Sequence, residues 1–399
     1  MKTTNRRNLF LLAFALVVVM LGFGMVVPVF PFYIERLGAG GKALGLLVAI
    51  SALTEFIFGP IWGSISDRKG RKPILMVGML GYGLSMLLFG LSTQLWMLFV
   101  FRALSGVLSS ATLATSMAYI GDSTSEKARG GGMGLMGAAA GTGIIIGPGI
   151  GGLLAGGSLS MPFFFAAGLS LISLALIALL LPESLPPEAR APAGGRIRFV
   201  SLRHLWQALT SPIGVLFLLA FLATFGTSNF ESIFGLYMLQ VLDYGPEQIG
   251  AILTLVGVVA LVSRGLLTGL VTRHWGEVTV IRASLLAGTI GFICLLLARS
   301  DAAVLLSTGL FVFSTTFLRP AIHSLTSQRA EVGQGVAMGL SNSFVSLGRV
   351  MGPIWAGVVF DMNSAYPYIS GAIVLFLVFV FSLVWIAPEK REVSGAIGA

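Results

Sequence analysis

The sequence is short of charge. Only 10% of its 399 residues are Asp, Glu, Lys or Arg, against about a quarter in a soluble globular domain. It has one cysteine, Cys294, and three histidines. A single cysteine excludes an intramolecular disulfide. His204, His274 and His323 are scattered along the chain and form no ligand or catalytic pair, so no metal site, cofactor or hydrolytic centre is expected. A phosphate-binding P-loop is absent, and the Gly-x-Gly patterns follow no strand, so they are not nucleotide loops. Long polar stretches are scarce too. The one such connection is residues 183–211, ESLPPEARAPAGGRIRFVSLRHLWQALTS.

What is abundant is apolar sequence, 56% of the chain. Segments long enough to span a bilayer, roughly 20 residues, fall at about 9–33, 43–65, 73–93, 95–121, 130–157, 161–182, 212–241, 248–272, 278–298, 302–327, 333–360 and 366–387. The first imitates a signal peptide, but its apolar run is too long for one and more spans follow, so it reads as retained. The expected fold is an all-α membrane protein of twelve transmembrane helices. Residues 1–182 form one six-helix bundle, 183–211 a cytoplasmic linker, and 212–399 a second bundle with a short cytoplasmic tail. With the N-terminus inside, 18 Lys and Arg fall on cytoplasmic segments and 3 on outer ones. By the positive-inside rule both termini are cytoplasmic. That bias also accounts for the net charge of +9 without nucleic acid.

The halves repeat each other. At an offset of 205, Glu126 maps to Glu331, Gly130 to Gly335, Met133-Gly134-Leu135 to Met338-Gly339-Leu340, Gly147-Pro148 to Gly352-Pro353, Gly152 to Gly357 and Pro162 to Pro367. At 206, Gly59, Gly63 and Gly70 map to Gly265, Gly269 and Gly276. Parallel six-span repeats of this kind place a transport site between the halves, near the bilayer midplane.

Three motifs stand out. The loop between spans 2 and 3 reads Gly63-Ser-Ile-Ser-Asp67-Arg68-Lys69-Gly70-Arg71-Lys72-Pro73. Its basic residues can pair with Asp122 at the inner end of span 4 and so latch one access state. Asp67 can instead cap a facing helix, and a plain basic inner loop is the simplest alternative. The stretch 141–157, GTGIIIGPGIGGLLAGG, has eight glycines in seventeen residues, yet a membrane segment must be helical. Gly134, Gly143, Gly147, Pro148, Gly151 and Gly152 read as a bent, close-packed helix at the interface with the other half, with a symmetry mate around Gly352-Pro353. Generic glycine packing is the alternative. Arg102, in FRALSG, is a charge inside span 4 and hence a candidate functional residue.

These motifs resemble the major facilitator superfamily, whose loop 2–3 signature GSISDRKGRKP matches. Gly134-x8-Gly143-x3-Gly147-Pro148-x2-Gly151-Gly152 is similar to the span-5 signature of its drug:proton antiporters, and Arg102-x3-Gly106 to their span-4 motif. MLGFGMVVPVFPFY, NFESIFGLY, FLRPAIHS and GLSNSFVSLGRVMGPIWAG resemble the quinolone and multidrug exporters. Tetracycline exporters are similar mainly in the first half. The resemblance covers roughly Met20 to Asp361. It implies a transporter of the bacterial plasma membrane, involved in antibiotic resistance, not an enzyme, and expected to be a monomer.

Six charges lie within spans: Glu55, Arg102, Glu231, Arg264, Arg319 and Arg349. Spans 3, 6, 9 and 12, peripheral in the facilitator fold, carry none beyond Arg282 at the inner end of span 9. Glu231 sits well inside span 7, where a carboxylate can exchange a proton for a cationic drug. The resemblance makes it the coupling residue, with Asn229 and Phe230 beside it. Glu55 is either a second proton carrier or a neutraliser of Arg102 or Arg349. The multidrug branch carries an aspartate three residues before its span-10 Arg-Pro-Ala; here Thr316 stands there, before Arg319. Span 1 has no acid from Asn8 to Ile34. Two acids against four arginines would favour anions or zwitterions, unless the arginines are paired; Arg264 and Arg319 can snorkel. Phe30, Phe32, Phe225, Phe230, Phe234 and Tyr237 are either a wall for flat drugs or ordinary packing. The expected function is proton-driven export of amphipathic small molecules by alternating access. The alternative is export or flipping of an endogenous metabolite or lipid with little proton coupling.

Overall fold

In a computed structural model of the chain, residues 6–192, 202–211, 213–330 and 333–386 are described. The middle of the linker and the tail lie outside them. So do Lys2, Arg196, Arg198, Glu331, Lys390 and Arg391, which the charge count and the repeat used.

Every regular element among the described residues is helical. A chain in lipid must satisfy its backbone internally, which leaves few other choices. Twelve helical stretches among these residues are long and apolar enough to cross a bilayer, and each falls on one of the expected spans.

Three spans are interrupted, which hydropathy does not reveal. Span 1 is α1 (Arg6–Val26) and α2 (Phe30–Arg36). Pro28 has no N–H and its ring excludes the carbonyl four residues back, so the chain turns there before Pro31 enters α2. Span 8 is α10 (Pro246–Val262), a π-helical turn at Ser263–Leu267 and α11 (Thr268–Trp275). Span 10 is α13 (Asp301–Thr316) and α14 (Leu318–Gln328). Pro320 causes that last break, because its ring displaces the Thr316 carbonyl. The other spans are α3 (Gly41–Lys69), α4 (Arg71–Gly90), α5 (Leu95–Ser123), α6 (Glu126–Gly157), α7 (Met161–Leu180), α9 (Gly214–Leu242), α12 (Glu277–Leu297), α15 (Gln334–Phe360) and α16 (Tyr366–Trp385). A short helix, α8 (Leu202–Leu209), precedes α9.

Contacts group the chain into two compact units. The first holds residues 1–199 with 228–258 and 349–367. In it α1 lies against α6 and α7, α5 lies against both α3 and α4, and α4 lies against α7. Small buried residues on α5, Ser105, Ser109, Thr112 and Ser116, let its neighbours come close. An aromatic cluster fills the end where α2 begins. Phe89 stacks on Phe163 at 5.5 Å, Tyr33 meets Phe163 edge-on at 5.5 Å, and the Tyr33 hydroxyl lies 3.0 Å from Ser160 Oγ.

The second unit holds residues 200–227, 259–348 and 368–399. Here α12 packs on α13 and α14, with Phe292 against Phe311 at 4.3 Å. Arg282 donates to the carbonyls of Ser382 and Ile386 at 2.9 and 2.8 Å, which satisfies orphan acceptors at the end of α16.

The glycines of α6 serve two partners. Gly143, Gly147 and Gly151 face the backbone of α1 at Val17–Met25, where any Cβ would collide. Gly152 and the Pro148 carbonyl face α10, at Pro246 and Gly250. The same contact is built a second time. On α15, Gly357 and the Pro353 carbonyl face α3 at Gly41 and Gly45. Every residue of one contact maps onto the other at the offset of 205. The expected interface of span 5 with the other half is therefore made by Gly152 and Pro148, with Gly149 at Thr254 and Gly156 at Glu247, while Gly143, Gly147 and Gly151 seat α1. Gly134 faces open space, so its smallness is not used in this arrangement.

Candidate functional site

The charged loop is assembled around Arg71. Its guanidinium is paired with Asp67, lies 2.8 Å from Asp122 Oδ2 through Nε, and donates to Ser66 Oγ at 2.7 Å. The turn between α3 and α4 brings Asp67, four residues back, alongside, and the end of α5 supplies Asp122. Gly70 carries the turn with φ +101°, a conformation glycine adopts readily. Arg68 is half-buried beside it. Gly63 meets nothing within reach of a Cβ.

Glu183, which the sequence left in the linker, completes this cluster. Its carboxylate accepts from the backbone N–H of Arg71 at 2.8 Å, Lys72 at 3.2 Å, Ser184 at 2.9 Å and Leu185 at 3.1 Å. It thereby caps the N-terminus of α4. The Ala191 N–H donates to the Asp67 carbonyl at 2.9 Å, so the linker is stitched to the loop. The available signal was an acid directly after span 6. Asp361, directly after span 11, does the same at the other end of the first unit. It accepts from Gly41 N at 2.6 Å and Lys42 N at 3.1 Å, capping α3.

Within the spans, Arg102 is the most deeply placed charge, with only 4% of its surface exposed. Its guanidinium lies 4.9 Å from the Phe30 ring and 5.5 Å from the Phe23 ring. Cation–π attraction of this kind contributes about 1–2 kcal/mol when desolvated. Its Nε has no hydrogen-bond partner among the described residues. Glu55, half-buried on α3, exerts its charge on Arg102 without forming an ion pair, and accepts from Ser51 Oγ at 3.3 Å. Tyr82 lies within the same field and donates to the Val19 carbonyl at 3.2 Å. Phe23 and Tyr82 were not singled out in the sequence, where they look like any packing aromatic.

On α9, Asn229 is fully buried and Phe230 nearly so, its ring 4.9 Å from Phe234. Glu231 lies on the exposed side of the same helix. The neighbouring Gly235 meets Pro31 of α2, so the bend in span 1 seats α9. Of the proposed wall, Phe30 is the member over Arg102, and Phe225 pairs with Phe221.

In the second unit, Thr316 is buried at the break of span 10, its hydroxyl donating to Val312 O at 2.7 Å. Arg319 is exposed just beyond it, and Arg264 is exposed within the π turn. Arg349, at the edge of the first unit, is exposed and makes no ion pair among the described residues.

The family profile described as Major Facilitator Superfamily matches residues 12–331 and 216–399. Multidrug resistance protein 2 of Bacillus subtilis (strain 168) is 33% identical over 381 residues, 95% of each chain. Multidrug resistance protein 1 of the same organism is 34% identical over 380 residues, 95% of this chain and 96% of its own. Quinolone resistance protein NorA of Staphylococcus aureus is 29% identical over 362 residues, 90% of this chain and 92% of its own. Among solved structures, the nucleoside transporter NupG aligns with TM-score 0.78 at 14% identity, over 95% of this chain and all of its own. A bacterial homologue of the human lysosomal transporter Spinster aligns at 0.77 and 14%, over 96% of each chain. Those two likenesses bear on the fold alone. Twelve apolar helices, the loop signature and the full-length relatives agree: the chain is a multi-pass membrane transporter, not an enzyme, and belongs to the major facilitator superfamily.

Proposed function

We propose that the protein exports amphipathic drug-like compounds, driven by the proton gradient. The observation that carries this is the Arg102 site, a guanidinium buried under Phe23 and Phe30 with Glu55 acting on it, in a chain similar to multidrug resistance proteins along 95% of its length. Intramembrane charges mark transport pathways by default. Residues 1–182 and 212–399 act as two pseudo-symmetric halves that rock about the site, with both termini in the cytoplasm of a bacterium. Glu231 binds proton and substrate in turn, next to Asn229 and Phe230; Thr316 and Arg319 are the candidate substrate residues of span 10. The Asp67–Arg71–Asp122 cluster holds one access state.

A second reading is export of an endogenous metabolite or lipid with weak proton coupling. It is favoured by Thr316, where the multidrug branch carries an acid, and by the acid-free first span.

Inside-out vesicles with an acid interior separate the two. Adding a lipophilic cation should release lumenal protons in wild type and not in Glu231→Gln. Release that survives the mutation moves the coupling to Glu55. No release with any cation, neutral drug or anion, alongside gradient-independent transport, overturns the antiporter reading.

A further inference from the structure

We infer that α8 is a membrane-surface anchor that lies on anionic phospholipid headgroups and fixes where α9 enters the bilayer. This goes beyond the export reading and does not depend on it.

The helix is an amphipathic stripe. Leu202, Leu205, Trp206 and Leu209 recur at i, i+3, i+4 and i+7. Ala208 is buried, and Leu205 and Leu209 are half-covered. Trp206 is 71% exposed. A soluble helix seldom leaves its largest apolar residue in water, because a tryptophan carries a large area worth burying.

Its position is set by the turn that follows. Thr210 N donates to Trp206 O at 3.3 Å, Ser211 N to Ala208 O at 3.2 Å and Gly214 N to Ser211 O at 2.8 Å. A Cβ at Gly214 would strike the Leu209 carbonyl. The turn is therefore tight, and α8 sits at the level where α9 begins its crossing. Two other tryptophans of the same unit mark that level. Trp275 ends span 8 and is 56% exposed; Trp385 ends span 12 and is 61% exposed. Because successive spans alternate in direction, the start of span 7 and the ends of spans 8 and 12 share one side. Tryptophans concentrate at membrane–water interfaces, where the ring meets the acyl boundary and the indole N–H meets water.

Charge selects the lipid. Between Arg190 and Glu231 the sequence holds Arg196, Arg198, Arg203 and His204 and no acid. Such a basic segment beside an apolar stripe is attracted to an anionic surface and screened by salt.

The test uses the full-length protein with Cys294→Ser and one spin label, at Trp206→Cys or at Gln207→Cys. It is reconstituted in phosphatidylcholine with or without phosphatidylglycerol. In anionic bilayers the label at 206 should collide more with oxygen than with an aqueous nickel chelate, and the label at 207 should not. Changing Arg196, Arg198 and Arg203 to Gln, or removing phosphatidylglycerol, should cut that preference roughly twofold or more. Thermal unfolding of the unlabelled chain, with and without phosphatidylglycerol, should show the same lipid preference, lost in the arginine variant. Equal access of the nickel chelate to both sites in both bilayers would overturn the anchor in favour of a solvated linker. A 206 label reached by neither reagent would overturn it in favour of cover by another segment of the chain.

Discussion

At the scale of single residues, two side chains carry most of the information. Arg102 is buried with an unmatched Nε. A buried charge without full hydrogen bonding costs free energy rather than supplying it. Arg102→Gln is therefore expected to leave the thermal midpoint unchanged or raised, while substrate-evoked proton release falls about tenfold or more. Paired melting and vesicle measurements check this, and a large drop in the midpoint would make Arg102 structural. Glu183 is the opposite case, with four backbone donors on one carboxylate. Glu183→Ala removes a helix cap, which costs about 1–2 kcal/mol, and loosens the turn that presents Arg71 to Asp122. The expected result is a lower thermal midpoint together with slowed transport. Glu183→Gln, which keeps an acceptor oxygen, should recover part of both.

At the scale of elements, the interrupted spans are the feature to test. Pro320 breaks span 10 between Thr316 and Leu318, which frees backbone groups beside two proposed site residues. Pro320→Ala restores the missing donor and relieves the clash, a change favouring a continuous helix by about 3 kcal/mol in a helix interior. The variant should melt higher and turn over more slowly, as the span loses its bend. Unchanged turnover in vesicles would show the break to be incidental. Hydropathy marked every one of these spans, because lipid selects for apolar length. It did not mark the breaks, because a proline in an apolar run costs hydropathy nothing, and the π turn at Ser263–Leu267 has no proline at all.

At the scale of the whole molecule, the repeat has a physical consequence. Gly45 meets the Pro353 carbonyl and Gly250 meets the Pro148 carbonyl, in two contacts related by the offset of 205. If these contacts close and open during transport, bulk at either glycine should have the same effect. Gly45→Leu and Gly250→Leu should each insert normally and each lose transport by about tenfold or more, since backbone contact admits no side chain. Cysteine pairs placed across α3–α15 and α6–α10 should lose their cross-linking in the matching variant. A defect in only one variant would break the symmetry.

The number of spans, their places and the family are legible in the residue order alone. Apolar length and glycine spacing are local properties that the bilayer reads directly. The residue order also pointed to Asp122 as a partner for the basic loop, whereas Arg71 as the paired residue and Asp67 beside it appear only in the fold. That Glu183 and Asp361 are caps, that Phe23 and Phe30 cover Arg102, and that Gly143, Gly147 and Gly151 seat α1 emerged only from the folded chain. An acid just past a span reads as a loop until its facing backbone donors are placed. An aromatic reads as packing until a charge is found beneath it. Those partners lie far apart in sequence, and hydrogen bonds and ring contacts act only across a few ångströms.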